Sequence, residues 1–228
     1  MTGMNEMMGT DPKVAIVDFG LGNLYSVRHA CRKVGLDAEI TSSRQAMLEA
    51  DAVILPGVGA YRDAMENLRR LDLVSVLRDI AASDKPLVGV CLGMQLLMSE
   101  SFEFGHYKGL DIIKGSVVHF GRPDEDGRLL KVPQIGWNRI HKSEQGTDWS
   151  MSLLAGVPYD AYMYFVHSYF VQPEDQEWTL STTRYGNVEF CSSLQKGTVF
   201  ACQFHPERSS QWGLAIYQNL AAHFDKAI

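Results

Sequence analysis

The sequence predicts an α/β fold, an open and mostly parallel central sheet flanked by helices, with added antiparallel strands in the second half. Two observations predict the parallel part. Short apolar, β-branched runs recur through the first ninety residues without polar alternation, and stretches of helical spacing separate them. Strands read this way when crossover helices cover both faces of their sheet. A third observation predicts the rest: from Ile112 to Gln203 the chain turns to extended runs joined by turn residues.

Val14–Val17 is the first strand, ended by Gly20-Leu21-Gly22-Asn23. A helix follows through Leu24, Val27, Ala30, Cys31 and Val34, and Gly35 stops it. Ala38–Thr41 is a weaker strand, and Ala52–Leu55 a stronger one, halted by Pro56-Gly57-Val58-Gly59. The span 60–82 is helical in two pieces, and Pro86 opens the apolar strand Leu87–Val90, followed by a helix over Met94–Ser99. Extended runs then fall at Tyr162–Val171, Trp178–Tyr185, Val188–Leu194 and Thr198–Gln203, with Gly186-Asn187 and Lys196-Gly197 as tight connections. Leu214, Tyr217, Leu220, Ala221 and Phe224 give Gln211–Phe224 the spacing of a closing helix. No repeat or linker divides the chain, so residues 13–228 are expected to form one domain behind a flexible extension, 1–12.

The 228 residues carry 46% hydrophobic and 21% charged side chains, a globular composition, and a net charge of -6. That charge argues against nucleic acid or an anionic membrane as the main partner. No apolar run reaches the ~20 residues that span a bilayer, and the first twelve residues lack a signal-peptide pattern. The four cysteines form no CxxC pair and no zinc spacing, so neither a metal nor a cofactor is expected, and the thiols read as reduced in a cytoplasmic protein.

Gly89-Val90-Cys91-Leu92-Gly93 is the feature that carries chemistry. It joins an apolar strand to a helix as G-x-nucleophile-x-G, with cysteine as the nucleophile. Glycines are needed because so sharp a turn leaves no room for nearby β-carbons. The turn presents the sulfur at the carboxyl end of the strand, where open α/β sheets bind ligands. The helix start adds partial positive charge, which favours a thiolate, and the Leu92 N–H is placed for an oxyanion. Cys31, Cys191 and Cys202 have no such setting and read as core residues. Phe200–Glu207 supplies the remaining parts. His205 and Glu207, two apart on extended chain, point one way, so the carboxylate can orient the imidazole towards Cys91. His167 is the competing base. Gly20-Leu21-Gly22-Asn23 is neither G-x-G-x-x-G nor a P-loop, which leaves a nucleotide site weakly supported.

With these residues in view, the chain resembles the class I (triad) glutamine amidotransferases. The resemblance rests on Pro86–Gln95, Pro56–Gly59 and Gln203–Glu207. It is closer still to the glutaminase subunits of imidazole glycerol phosphate synthase in histidine biosynthesis, through Val17–Leu24, Pro133–Asn138 and Tyr164–Tyr169. It implies a flavodoxin-like sheet and a γ-glutamyl thioester on Cys91, with His205 as general acid and base and Glu207 orienting it. It implies an oxyanion hole from Leu92 with Val58 or Gly59. Gln95, Glu103 and the backbone at Ser168 and Tyr169 would hold L-glutamine. The implied partner is a (β/α)8 cyclase subunit in a heterodimer, faced by Asn23, Trp137, Asn138, Tyr164 and Arg208. Gln134 departs from the family, which usually has histidine there beside the expected interface. It keeps open a paralogue that feeds ammonia to another synthase. A free-standing cysteine hydrolase of γ-glutamyl substrates is a further alternative, although it needs no partner-facing Trp137. Anthranilate-type and carbamoyl-phosphate-type relatives usually carry histidine where this chain has Met94.

Overall fold

Val14, Ala15, Ile16 and Val17 are all buried because β1 (Lys13–Val17) has a strand on each edge and helices on both faces. The computed structural model describes residues 11–146 and 148–225. Residues 1–10 of the expected extension lie outside the described residues. Pro12 is tied down, its carbonyl accepting the Asp37 N–H at 2.9 Å.

The first half continues with α1 (Leu24–Lys33), β2 (Asp37–Thr41), α2 (Arg44–Glu49), β3 (Ala52–Gly57), α3 (Tyr61–Arg70), α4 (Val74–Ala81), β4 (Leu87–Cys91) and α5 (Leu92–Leu96). Then come β5 (Met98–Ser101), β6 (Tyr107–Lys108), β7 (Ile113–His119), β8 (Asp124–Glu125), β9 (Arg128–Leu129), β10 (Gln134–Arg139) and β11 (His141–Lys142). The chain closes with β12 (Tyr162–His167), β13 (Tyr169–Pro173), β14 (Thr179–Tyr185), β15 (Val188–Lys196), β16 (Val199–Cys202) and α6 (Ser210–Asp225). A 3-10 turn, Pro206–Arg208, leads into that last helix.

The main sheet runs β2-β1-β3-β4-β16-β15-β13-β7-β5-β6. Its first five members are mutually parallel, and β15, β14 and β13 pair antiparallel beyond them. Burial follows the pleat. Val14, Ile16, Ile54, Val88 and Val90 pack with α1 and α6 on one face, while Ala15, Val17, Val53, Leu55 and Leu87 pack with α3 and α4 on the other. The expected architecture is therefore the observed one. For the site, the decisive fact is that β3, β4 and β16 are neighbours ending level with each other. Gly57 stands opposite Cys91 and Cys202 opposite Val90, so their three following loops meet.

Three local expectations are corrected. α2 goes unseen in the sequence because six residues with one buried side chain, Met47, show no helical period; its only signal is Ser43, whose Oγ accepts the Ala46 N–H at 3.3 Å. The helix expected over Met94–Ser99 is the single turn Leu92–Leu96, and Met98–Ser101 is a strand. Pairing with β6 and β7 overrides the weak helical pattern there. Tyr162–Val171 is two strands of different sheets, since β12 pairs with β10 and β13 with β7, and Ser168 is the break between them.

Candidate active site

Cys91 sits on a strained backbone, φ 55° and ψ -110°, between the end of β4 and the first residue of α5. A non-glycine residue there costs on the order of 1–3 kcal/mol and persists only where its surroundings over-determine it. The flanking glycines show how. A β-carbon on Gly89 would stand 2.9 Å from Leu97 Cδ1 and 3.1 Å from Met94 N, and one on Gly93 would overlap the Leu55 carbonyl oxygen. The G-x-C-x-G spacing is thus a steric requirement of placing α5 directly against β3 and β4.

His205 and Glu207 follow the end of the adjacent strand, β16, but Glu207 lies in the Pro206–Arg208 3-10 turn and not on the extended chain that the sequence suggests. His205 Nδ1 lies 2.9 Å from Glu207 Oε1, the Glu207 side chain is 1% exposed, and both are held by the 3-10 turn and by α6 beneath it. With Nδ1 engaged, His205 Nε2 is left without a partner on the side of Cys91. Burial pulls the imidazole pKa down, but the Cys91 sulfur and then the Glu207 carboxylate outweigh it, and the net shift is upward. Protonated His205 is the form this pocket favours.

His167 has a different environment. Its Nδ1 lies 2.9 Å from the Tyr169 carbonyl oxygen, an acceptor, which fixes the proton on Nδ1. Burial pulls its pKa down to about 4, with the Tyr169 carbonyl opposing and His205 assisting. It is a neutral ring. The unfolded chain takes up this proton near pH 6.5 and the fold only near 4. The stability it contributes is complete above pH 6.5 and lost as pH falls through that window, on the order of 3 kcal/mol. His167→Asn is expected to flatten the dependence of urea-unfolding free energy on pH between 6.5 and 4. An unaltered slope would show that the ring titrates normally.

A cavity of about 390 Å³ opens over the elbow. Its walls include Val58, Gly59, Leu92, Gln95, Glu103 and Tyr169, so the expected oxyanion and substrate residues converge with Cys91 and His205, and Ser168 joins them. Glu103 Oε2 accepts the Tyr61 N–H at 2.6 Å. Burial raises its pKa, which the Tyr61 N–H opposes and Asp63 reinforces. Gln95 is buried, and its Nε2 donates to the Tyr169 carbonyl and to Gln203 Oε1, each at 3.0 Å. Gln203 Nε2 in turn reaches Cys91 Sγ at 3.6 Å. Two residues at the site, Gln203 and Phe104, carry no role that the sequence suggests. Gln203 lay inside the motif, and its strand-end position one past Cys202 was the available signal. Phe104, 86% exposed on the cavity rim and edge-on to Tyr169, had none.

Cys31 and Cys191 are buried thiols pushed up to about 12 by burial, and Cys202 is raised as well, again chiefly by burial. Among the described residues no group of three His, Cys, Asp or Glu could hold a metal, and no helix is long and apolar enough to cross a membrane.

The five residues expected at a partner surface line a rim on which Asn23, Trp137 and Arg208 are exposed and Asn138 and Tyr164 half-buried. Trp137 is 52% exposed and stands edge-on to Tyr164, with ring centroids 6.0 Å apart. The Arg208 guanidinium sits 4.4 Å over the other ring of that pair, Tyr164, and Asn138 Nδ2 donates to the Arg184 carbonyl at 2.8 Å. Asn23 is exposed at the start of α1, which packs on the Pro206–Arg208 turn. The rim is bonded to the site: the His205 N–H donates to the Tyr164 carbonyl at 2.9 Å. Gln134 shares β10 with Trp137, yet its side chain faces inward. It is 3% exposed and stands opposite His167 in the ladder.

The glutamine amidotransferase class-I family matches residues 15–222. Imidazole glycerol phosphate synthase subunit HisH of Syntrophotalea carbinolica is 43% identical over 207 residues, covering 90% of this chain and 98% of the relative. HisH of Geobacter sulfurreducens is 42% identical over 210 residues, 91% and 97% of the two chains. HisH 1 of Legionella pneumophila (strain Paris) is 39% identical over 205 residues, 90% and 96%. Among solved structures, that of PurLQS from Thermotoga maritima superposes with a TM-score of 0.70 at 15% identity, covering 94% of this chain and 99% of its own. A crystal structure of glutamine amidotransferase gives 0.68 at 18%, covering 94% and 100%.

Proposed function

We propose the following division of labour for a chain that belongs to the class I glutamine amidotransferase family and, within it, to the HisH subunits of imidazole glycerol phosphate synthase. As a member of that family it is a glutaminase of histidine biosynthesis. Cys91 Sγ attacks the side-chain carbonyl carbon of L-glutamine. The oxyanion is received by the Leu92 N–H and the Val58–Gly59 segment, donors worth roughly 3–4 kcal/mol each in the transition state. His205, protonated, gives its proton to the departing nitrogen as the C–N bond breaks, so ammonia leaves and a γ-glutamyl thioester forms. Water then attacks the thioester. His205 takes its proton, the C–S bond breaks, and glutamate departs. Glu207 keeps the imidazole oriented and supports its charge. Glu103 faces the α-ammonium of glutamine, Gln95 lines its side-chain path, and the backbone at Ser168–Tyr169 receives its α-carboxylate.

The observation that carries this reading is the convergence of three strand ends. The Pro56–Gly59 loop, the Cys91 elbow and the His205–Glu207 pair meet over one cavity. The partner is a (β/α)8 cyclase subunit seated on the Asn23, Trp137, Asn138, Tyr164 and Arg208 rim. Gln134 is buried opposite His167, so this departure lies inside the small sheet and not on the exposed face that Trp137 presents to the partner. The Tyr164–His205 backbone bond supports partner control, since docking on Tyr164 bears on the histidine directly.

Co-purification with the host's own barrel subunit tests the reading. The isolated chain is expected to hydrolyse glutamine slowly, and the complex with the barrel's ribonucleotide ligand at least ~100-fold faster, an effect of about 2.7 kcal/mol. Full activity without any partner would contradict the subunit assignment.

A further inference from the structure

Gln203 is fully buried between Cys91 and Gln95, and both ends of its side-chain amide are engaged. The orientation of an amide is assigned from its hydrogen-bond network, and here the network is anchored from outside. The Tyr169 carbonyl can only accept, and it takes Gln95 Nε2 at 3.0 Å and His167 Nδ1 at 2.9 Å. The second hydrogen on Gln95 Nε2 reaches Gln203 Oε1 at 3.0 Å. Gln203 therefore turns its oxygen to Gln95 and its N–H to Cys91 Sγ, 3.6 Å away. Flipping Gln203 would set two NH2 groups against each other, and flipping Gln95 would aim an oxygen at the Tyr169 carbonyl.

We infer that Gln203 is a positioning residue of the glutaminase reaction: its N–H holds the Cys91 sulfur in the attacking place, and its oxygen ties that place to Gln95 on the substrate wall. The inference rests on Cys91 being the nucleophile. Register explains why this position serves. Cys202 stands opposite Val90 in parallel strands, so the next residue, Gln203, comes level with Cys91. The chemistry explains the residue type. A neutral amide donates to a charged sulfur without competing with His205, because an amide does not release its proton. The chain Tyr169–Gln95–Gln203–Cys91 also gives a route by which glutamine contacting Gln95 is felt at the sulfur.

The test uses the full chain with its barrel subunit and two variants of similar size, Gln203→Met and Gln203→Glu. Three quantities are measured: kcat, KM for glutamine, and the pH profile of Cys91 alkylation by iodoacetamide. A hydrogen bond to a charged group predicts that Gln203→Met lowers kcat by roughly 10- to 100-fold. KM should change far less, and the alkylation midpoint should move to higher pH. Gln203→Glu keeps an acceptor for Gln95 but sets an oxygen against the sulfur, and kcat should fall at least as far with KM again little changed. An unmoved alkylation profile with a raised KM would overturn the inference, since Gln203 would then only prop Gln95; so would an unchanged kcat. If neither variant folds, a crystal structure of the unaltered complex decides, support coming from Gln203 Nε2 within 4 Å of Sγ and refutation from a longer separation. Retained hydrolysis in Cys91→Ala would sink the nucleophile assignment instead, whatever the Gln203 variants did.

Discussion

Cys91→Ala is expected to abolish glutamine hydrolysis, by on the order of 10⁴-fold or more, while the complex with the barrel still forms product from ammonium salt. No other sulfur can substitute. Cys31, Cys191 and Cys202 are buried, and burial holds all three as neutral thiols. His205 and Glu207 stay paired in the variant, but an imidazole acting on water alone lacks the covalent intermediate that divides the reaction into two easier steps. Alanine is the informative replacement because the φ of 55° strains alanine and cysteine alike, so the elbow should persist. Glutamate release and ammonium-dependent synthesis, assayed side by side on one preparation, separate lost chemistry from lost structure. Undiminished glutamate release would refute the nucleophile. Loss of both activities would point to a failed complex.

How much of this was legible in the sequence depends on the range of the interaction concerned. The parallel half was readable because Val14–Val17, Ala52–Leu55 and Leu87–Val90 are buried on both faces, and continuous apolar runs report that directly. The placement of Cys91, His205 and Glu207 together was readable because each sits in a turn whose local sequence, paired glycines or a proline, has a steric reason. What the sequence does not contain is which strands are neighbours. Nothing in Val199–Cys202 says that it lies beside Leu87–Cys91, and only that register brings Gln203 level with Cys91. Met98–Ser101 carries no strand signal of its own for the same reason, its strand identity coming from partners Tyr107–Lys108 and Ile113–His119. The inward face of Gln134 follows from its pairing with His167 across a second small sheet, where position along the chain suggested the interface.

Gly93→Ala is expected to destabilise the chain by at least about 2 kcal/mol and to lower glutaminase activity further than that loss alone would explain. The added methyl would occupy the place of the Leu55 carbonyl oxygen, with Leu55 Cγ 3.5 Å behind it. That carbonyl cannot easily retreat. Ile54 is in register with Ile16 of β1, and Ile54, Leu55 and Pro56 with Val88, Gly89 and Val90 of β4, so moving it disturbs two ladders in the middle of the sheet. Overpacking of this kind typically costs 1–3 kcal/mol, and more where backbone must shift. The alternative response is for α5 to tilt away, which carries Leu92 and its N–H with it. Pro56–Gly59 follows Leu55 directly, so a shift of the strand displaces the other side of the proposed oxyanion site as well. Either relaxation separates donors that catalysis needs within a few tenths of an ångström of their place. Urea unfolding read against kcat separates the two effects, the predicted signature being a kcat deficit that persists in the fraction still folded. Stability and kcat both unchanged would mean that α5 does not lie against β3 as closely as the clash requires.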